Sequence, residues 1–187
     1  MWNRTRGAAI VAGVVVAGLS GSVLANDYDE SVDGDLGDQA NGATFFELDL
    51  GLNSVSGTVG DDGSLDEDFI AFTIGMGEGI SSITLTDATF TGGNTSTGFR
   101  LYADLGSGLE QVSSGSFNLG DIGTDFLTVW DLSDVGGSAP LGPGTYGVLL
   151  AEFTPGQQYK FDIEVVPAPG SVALLGLGAL AGVRRRR

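Results

Sequence analysis

Between residues 159 and 165 apolar and charged side chains alternate: Tyr159, Phe161, Ile163 and Val165 take turns with Lys160, Asp162 and Glu164. A period of two puts one set on a buried face and the other in water, which predicts a β-strand. Ile70, Phe72 and Ile74 alternate with smaller Ala71 and Thr73, and Tyr146, Val148 and Leu150 follow the same rule after a Gly142-Pro143-Gly144 turn. Further strands are expected at 44–50, 54–59, 80–90, 99–105, 114–119 and 126–130. Turn residues separate them, among them Gly60-Asp61-Asp62-Gly63, Gly92-Gly93-Asn94, Gly106-Ser107-Gly108 and Gly136-Gly137-Ser138. About nine short strands in roughly 140 residues predict an all-β domain, an antiparallel two-sheet sandwich or jelly roll. Its core is expected to hold Phe46, Leu48, Ile70, Phe72, Ile74, Ile83, Leu85, Leu101, Leu127, Val129, Tyr146, Val148, Leu150, Phe161 and Ile163.

Two apolar runs break this pattern, and both adjoin arginines. Arg4 and Arg6 precede the run 8–19; Arg184, Arg185, Arg186 and Arg187 follow the run 170–183. Only Arg100 and Lys160 remain from residue 26 to 183, against all 24 acids, so that stretch carries a net charge of −22. A surface this acidic repels nucleic-acid phosphates, which are bound by clustered Lys and Arg, and it repels anionic headgroups too. Nucleic-acid binding is excluded, and divalent cations are the natural counterpart. With no Cys and no His in 187 residues, disulfides, Cys or His metal centres and histidine-assisted hydrolysis are excluded as well.

Residues 1–25 have the build of a secretory signal peptide: a positive start, a short apolar helix and small residues before a cut. Signal peptidase would cleave after Ala25 and leave Asn26 as the new N-terminus; an uncleaved anchor is the alternative. At the other end Pro167-Ala168-Pro169 stops the last strand, and the 14 residues from Gly170 to Val183 are apolar. As a helix they would extend roughly 21 Å against a hydrocarbon core of about 30 Å, so crossing needs local thinning and snorkelling arginines. The positive-inside bias keeps both arginine groups on the cytoplasmic side of the inner membrane. The precursor is then a hairpin with its acidic middle outside. The chain divides into a signal peptide (1–25), an acidic leader (26–42), a β-sandwich (43–166) and a C-terminal sorting segment (167–187).

That last segment, from about residue 165, resembles the PEP-CTERM sorting signal: a short proline motif, an apolar helix and an arginine-rich tail at the extreme C-terminus. Ala168 stands where the motif usually has Glu. The resemblance implies export by a bacterium that makes exopolysaccharide. It also implies removal of helix and tail by an exosortase-like enzyme near Pro167, Ala168 and Pro169, with Arg184, Arg185, Arg186 and Arg187 as the sorting tail. An uncut tail anchor is the alternative. Such tails are sometimes labelled by association with ice-binding proteins. Thr84-x-Thr86, Thr89-x-Thr91 and Thr95-x-Thr97 would align hydroxyls, but no regular internal period builds a flat array.

A second, looser resemblance covers much of residues 54–166. Asp66-Glu67-Asp68-Phe69-Ile70-Ala71-Phe72, then Gly142-Pro143-Gly144-Thr145-Tyr146, then the alternating run 159–165, are similar to pre-peptidase C-terminal modules. This resemblance implies a noncatalytic jelly roll, of a kind that in some members binds calcium or polymeric substrates.

Acidic residues gather twice. Asp27, Asp29, Glu30, Asp33, Asp35 and Asp38 could offer calcium carboxylates and carbonyls together, but their spacing fails the alternating ligand pattern of an EF-hand, and a solvated leader is the plainer reading. Asp61, Asp62, Asp66 and Asp68 converge before a core strand, where carboxylates repel unless a cation such as calcium sits among them. The plainer alternative is a soluble loop whose aspartates bond local amides. Paired carboxylates also suit a small glycoside hydrolase, but outside the signal only Trp130 is at hand as a sugar platform. The sequence therefore predicts an exported, noncatalytic protein of the cell surface or exopolysaccharide matrix. Its alternatives are a calcium- or polysaccharide-binding module and a carboxylate-dependent hydrolase.

Overall fold

A computed structural model describes residues 26–38, 42–60, 67–91, 95–151 and 156–168. Among them are nine strands: β1 (Asp27–Asp29), β2 (Thr44–Phe46), β3 (Gly51–Val59), β4 (Glu67–Ile74), β5 (Glu78–Thr89), β6 (Thr97–Asp104), β7 (Leu109–Phe117), β8 (Gly144–Ala151) and β9 (Gln157–Pro167). A single turn of helix, α1 (Glu30–Asp33), follows β1, and three 3-10 turns lie between β7 and β8. The strands form two sheets, ordered β1-β3-β9-β5 and β2-β4-β8-β6-β7.

The body is all-β and two-sheeted, as the alternation predicts. The sheets are mixed, however, rather than purely antiparallel: β1 runs parallel to β3 and β2 parallel to β4. The reason is topological. β1 lies in one sheet and β2 in the other, so no tight hairpin forces them to reverse. They trace, one strand further out, the same crossing that β3 and β4 make.

Inward residues of both sheets share one core. Phe161 of β9 meets Phe117 of β7 edge-on at 5.6 Å and Phe126 at 5.6 Å, which ties the sheets together through aromatic rings. Strand β4 is buried on both faces. Ile70, Phe72 and Ile74 enter the main core, while Phe69 and Ala71 form a second cluster with Leu149.

Residues 126–130 are not a strand. Phe126–Thr128 is a 3-10 turn, and Trp130 N–H donates to Phe126 O at 2.9 Å. That winding buries Phe126, Leu127 and Trp130 and leaves Val129, expected in the core, 63 % exposed. Strand β2 ends at Phe46, short of the expected 50, and β7 starts at Leu109, ahead of the expected 114. The connection from β7 to β8 lies along the outer edge of β5. Leu141 exchanges two backbone bonds with Ile80, Gly123 N–H donates to Leu85 O at 2.8 Å, and Leu85 N–H donates to Thr124 O at 3.3 Å. An edge that could recruit other chains is thereby covered.

The largest departure is the acidic leader. Residues 26–38 supply β1 and α1, and Leu36 is 1 % exposed within the main core. Among the described residues no helix is long and apolar enough to cross a membrane. The signal peptide 1–25 and the apolar run 170–183 lie outside the described residues.

Candidate cation site

Asp29 opens the site by capping α1. Its Oδ1 accepts from Ser31 N–H at 3.0 Å, and Asp33 Oδ2 accepts from Asp29 N–H at 2.9 Å. This reciprocal arrangement uses up two leader carboxylates and turns Glu30 inward. Glu30 then accepts from Thr58 N–H of β3 at 2.6 Å and from Leu36 N–H at 3.3 Å. Gly57 makes room for it: a β-carbon there would lie 2.5 Å from Tyr159 Oη and 2.9 Å from Glu30 Oε2.

Asp68 comes from β4. It shares the core-facing parity of Ile70, Phe72 and Ile74, and it is 0 % exposed. Its Oδ2 accepts from Tyr159 Oη at 2.8 Å. Asp35 completes a triad: one carboxylate oxygen each from Glu30, Asp35 and Asp68 lie within 4.8 Å of one another. Three hard oxygen donors at this spacing suit a divalent cation, with further ligands from carbonyls or water. Glu30 also borders a groove of about 250 Å³, lined among others by Ser56, Asp87 and Lys160, which leads to solvent.

The electrostatics agree with a cluster of negative charge. Desolvation pushes the Glu30 carboxyl above its ordinary range, Asp35 adds to the rise, and the Thr58 and Leu36 amides oppose it. The Tyr28 hydroxyl is raised by burial and then by Asp33, Glu30, Asp35 and Asp68. Without a cation, Glu30 holds a proton more tightly in the folded chain than in the unfolded one. Its contribution to stability is present below the ordinary glutamate pKa and is lost as pH rises through the folded value. In chelator, Glu30→Gln should therefore match the parent's melting temperature in mild acid and exceed it at neutral pH. Thermal melts of both proteins across that range check the sign.

Of the residues expected to hold calcium, Asp68 is in this cluster, while Asp61, Asp62 and Asp66 lie outside the described residues. Glu30 and Asp35 belong to the leader, for which solvation is the plainer expectation and calcium the alternative. Parity with Ile70 two residues on places Asp68 on the buried face, whereas no local pattern marks Glu30 or Asp35.

No protein-family model matches the chain, and no curated protein matches it. Geometry and sequence carry the functional reading.

The residues at the expected cuts sit at the two margins of the body. Asn26 donates from Nδ2 to Glu47 O, and its own carbonyl accepts from Ser54 N–H at 3.1 Å. Pro167 pairs with Glu78 at the end of β9, and Ala168 N–H donates to Gly77 O at 2.7 Å. Ala25, Pro169 and Arg184, Arg185, Arg186 and Arg187 lie outside the described residues.

Proposed function

We propose that this chain is an exported, noncatalytic protein of the cell surface or exopolysaccharide matrix, cut at both ends by signal peptidase and an exosortase-like enzyme. The observation that carries this reading is the confinement of positive charge to the two arginine groups, each beside an apolar run, with a body of charge −22 between them. The margins of the body support it. Cuts before Asn26 and after Ala168 would leave every described strand and its pairing intact. The strand order fits a jelly roll, as the pre-peptidase C-terminal resemblance implies. β3-β9-β5 faces β4-β8-β6-β7, and the 118–141 connection occupies the edge where an eighth strand would lie. Cell fractionation tests the export: the body is expected outside the cytoplasm, and a full-length cytosolic product overturns the reading.

A second reading, compatible with the first, is calcium binding. It is favoured by the convergence of Glu30, Asp35 and Asp68 on one point. Binding to the native state alone raises stability by about 2.7 kcal/mol at free calcium a hundredfold above Kd. Calcium should thus raise the melting temperature of the parent at neutral pH and reverse its order with Glu30→Gln. Identical melts in calcium and in chelator would count against a cation here.

A further inference from the structure

A separate cleft of about 460 Å³ opens between β7 and the connection that follows it, and the cation site contributes nothing to its lining. Its origin can be read in β7. Pairing sets Ser113 opposite Leu101, Gly115 opposite Phe99 and Phe117 opposite Thr97. Those three partners on β6 are buried, so Ser113, Gly115 and Phe117 occupy the core-facing side of β7. Phe117 fills its place. Ser113 and Gly115 put almost nothing where other inward positions carry large apolar groups. At Gly115 the small residue is required, because a β-carbon would stand 2.8 Å from Phe99 Cζ.

Beneath these small residues lie three rings, largely buried, that reach the cleft only at their margins. Phe126 and Trp130 stack at 5.4 Å with planes 7° apart, and Phe99 lies 4.7 Å from Trp130. Trp130 is 8 % exposed, and its indole N–H is buried with no acceptor among the described residues. Asp121 and Asp131 complete the lining. Asp121 Oδ2 accepts from Asn118 N–H at 2.8 Å, which leaves its other oxygen to accept from a ligand. Asp131 Oδ1 accepts from Ser133 N–H at 3.0 Å, the Ser133 hydroxyl bonds the same carboxyl, and the group stays exposed to solvent. The bonds from Ser133 hold the Asp131 carboxyl below its usual range, so it stays ionised.

Aromatic edges, ionised acceptors and serine hydroxyls together complement a ring with a C–H face and a rim of hydroxyl donors. The cleft volume lies within the roughly 300–1,000 Å³ of small-ligand sites. Asp121 and Asp131 disfavour an anionic sugar. An added peptide strand is disfavoured by the bulge between Leu101 and Tyr102, which breaks the register along β7. We propose that this cleft binds a neutral glycan chain. That the glycan is one met outside the cell rests on the reading above; the binding itself does not.

The test is a titration of the full chain carrying Trp2→Phe, in which Trp130 is the only indole. Cellohexaose, laminarihexaose, maltohexaose and chitohexaose serve as probes, followed by Trp130 emission and by calorimetry. At least one should give a saturable change with Kd on the order of 0.1–1 mM. Asp131→Asn, at an exposed position, and Ser113→Leu, which fills the cleft, should each weaken it about tenfold or more. No saturable response to any of the four up to about 10 mM overturns the proposal. So does binding undiminished in Asp131→Asn, or in a Ser113→Leu protein whose melt matches the parent. Because purified protein is used, this outcome is independent of where the chain is sorted.

Discussion

Phe161→Ala is expected to destabilise the folded chain by about 3–5 kcal/mol, measured by urea unfolding. Phe161 is 4 % exposed and stands where β9 of one sheet faces β7 of the other. Its ring meets Phe117, Phe126 and Tyr159, each with centroids 5.6 Å away. Truncation removes the apolar area and leaves a cavity that neighbouring strands cannot close without shifting both sheets. Against a typical total of about 5–15 kcal/mol, this would leave the protein marginal. Val129→Ala is the control. It alters a residue of the β7–β8 connection that is 63 % exposed, and should change stability by less than about 0.5 kcal/mol.

Leu36→Ala should cost about 2–5 kcal/mol, although it lies in a stretch that reads as solvated acid. Leu36 is 1 % exposed in the main core, and its amide donates to Glu30 Oε1 at 3.3 Å. The substitution therefore unpins the segment that carries Glu30 and Asp35 towards Asp68, and it should weaken any calcium-induced rise in melting temperature as well. Val32, 79 % exposed on α1, is the matched control, with an expected change under about 0.5 kcal/mol for Val32→Ala. Equal, small effects at both positions would return residues 26–38 to the status of a loose leader.

The two effects mark what the sequence carries and what it hides. Phe161 announces itself, because alternation over residues 159–165 needs only local pattern to place its face. Leu36 does not. It is one apolar residue among acids, and its burial follows from β1 pairing with β3 and from α1 turning the chain, neither of which leaves a periodic trace. Strand β4 is legible from Ile70, Phe72 and Ile74, but the burial of its other face, Phe69 and Ala71 against Leu149, follows only from the fold. At 126–130 the apolar residues suit a strand or a tight turn equally; hydrogen bonding to Asp125 decides, because its Oδ1 accepts from both Ile83 N–H and Leu127 N–H at 3.1 Å. The cation site was half legible. Asp68 could be found by parity, whereas Glu30 and Asp35 reach it only through the fold.

The claim on which the functional account depends concerns the two ends. Intact mass spectrometry of the exported protein tests it most directly. A species that begins at Asn26 and ends within the Pro167–Pro169 motif is the predicted result. A product that still carries residues 1–25, or one that retains the apolar run and the four terminal arginines, would contradict it.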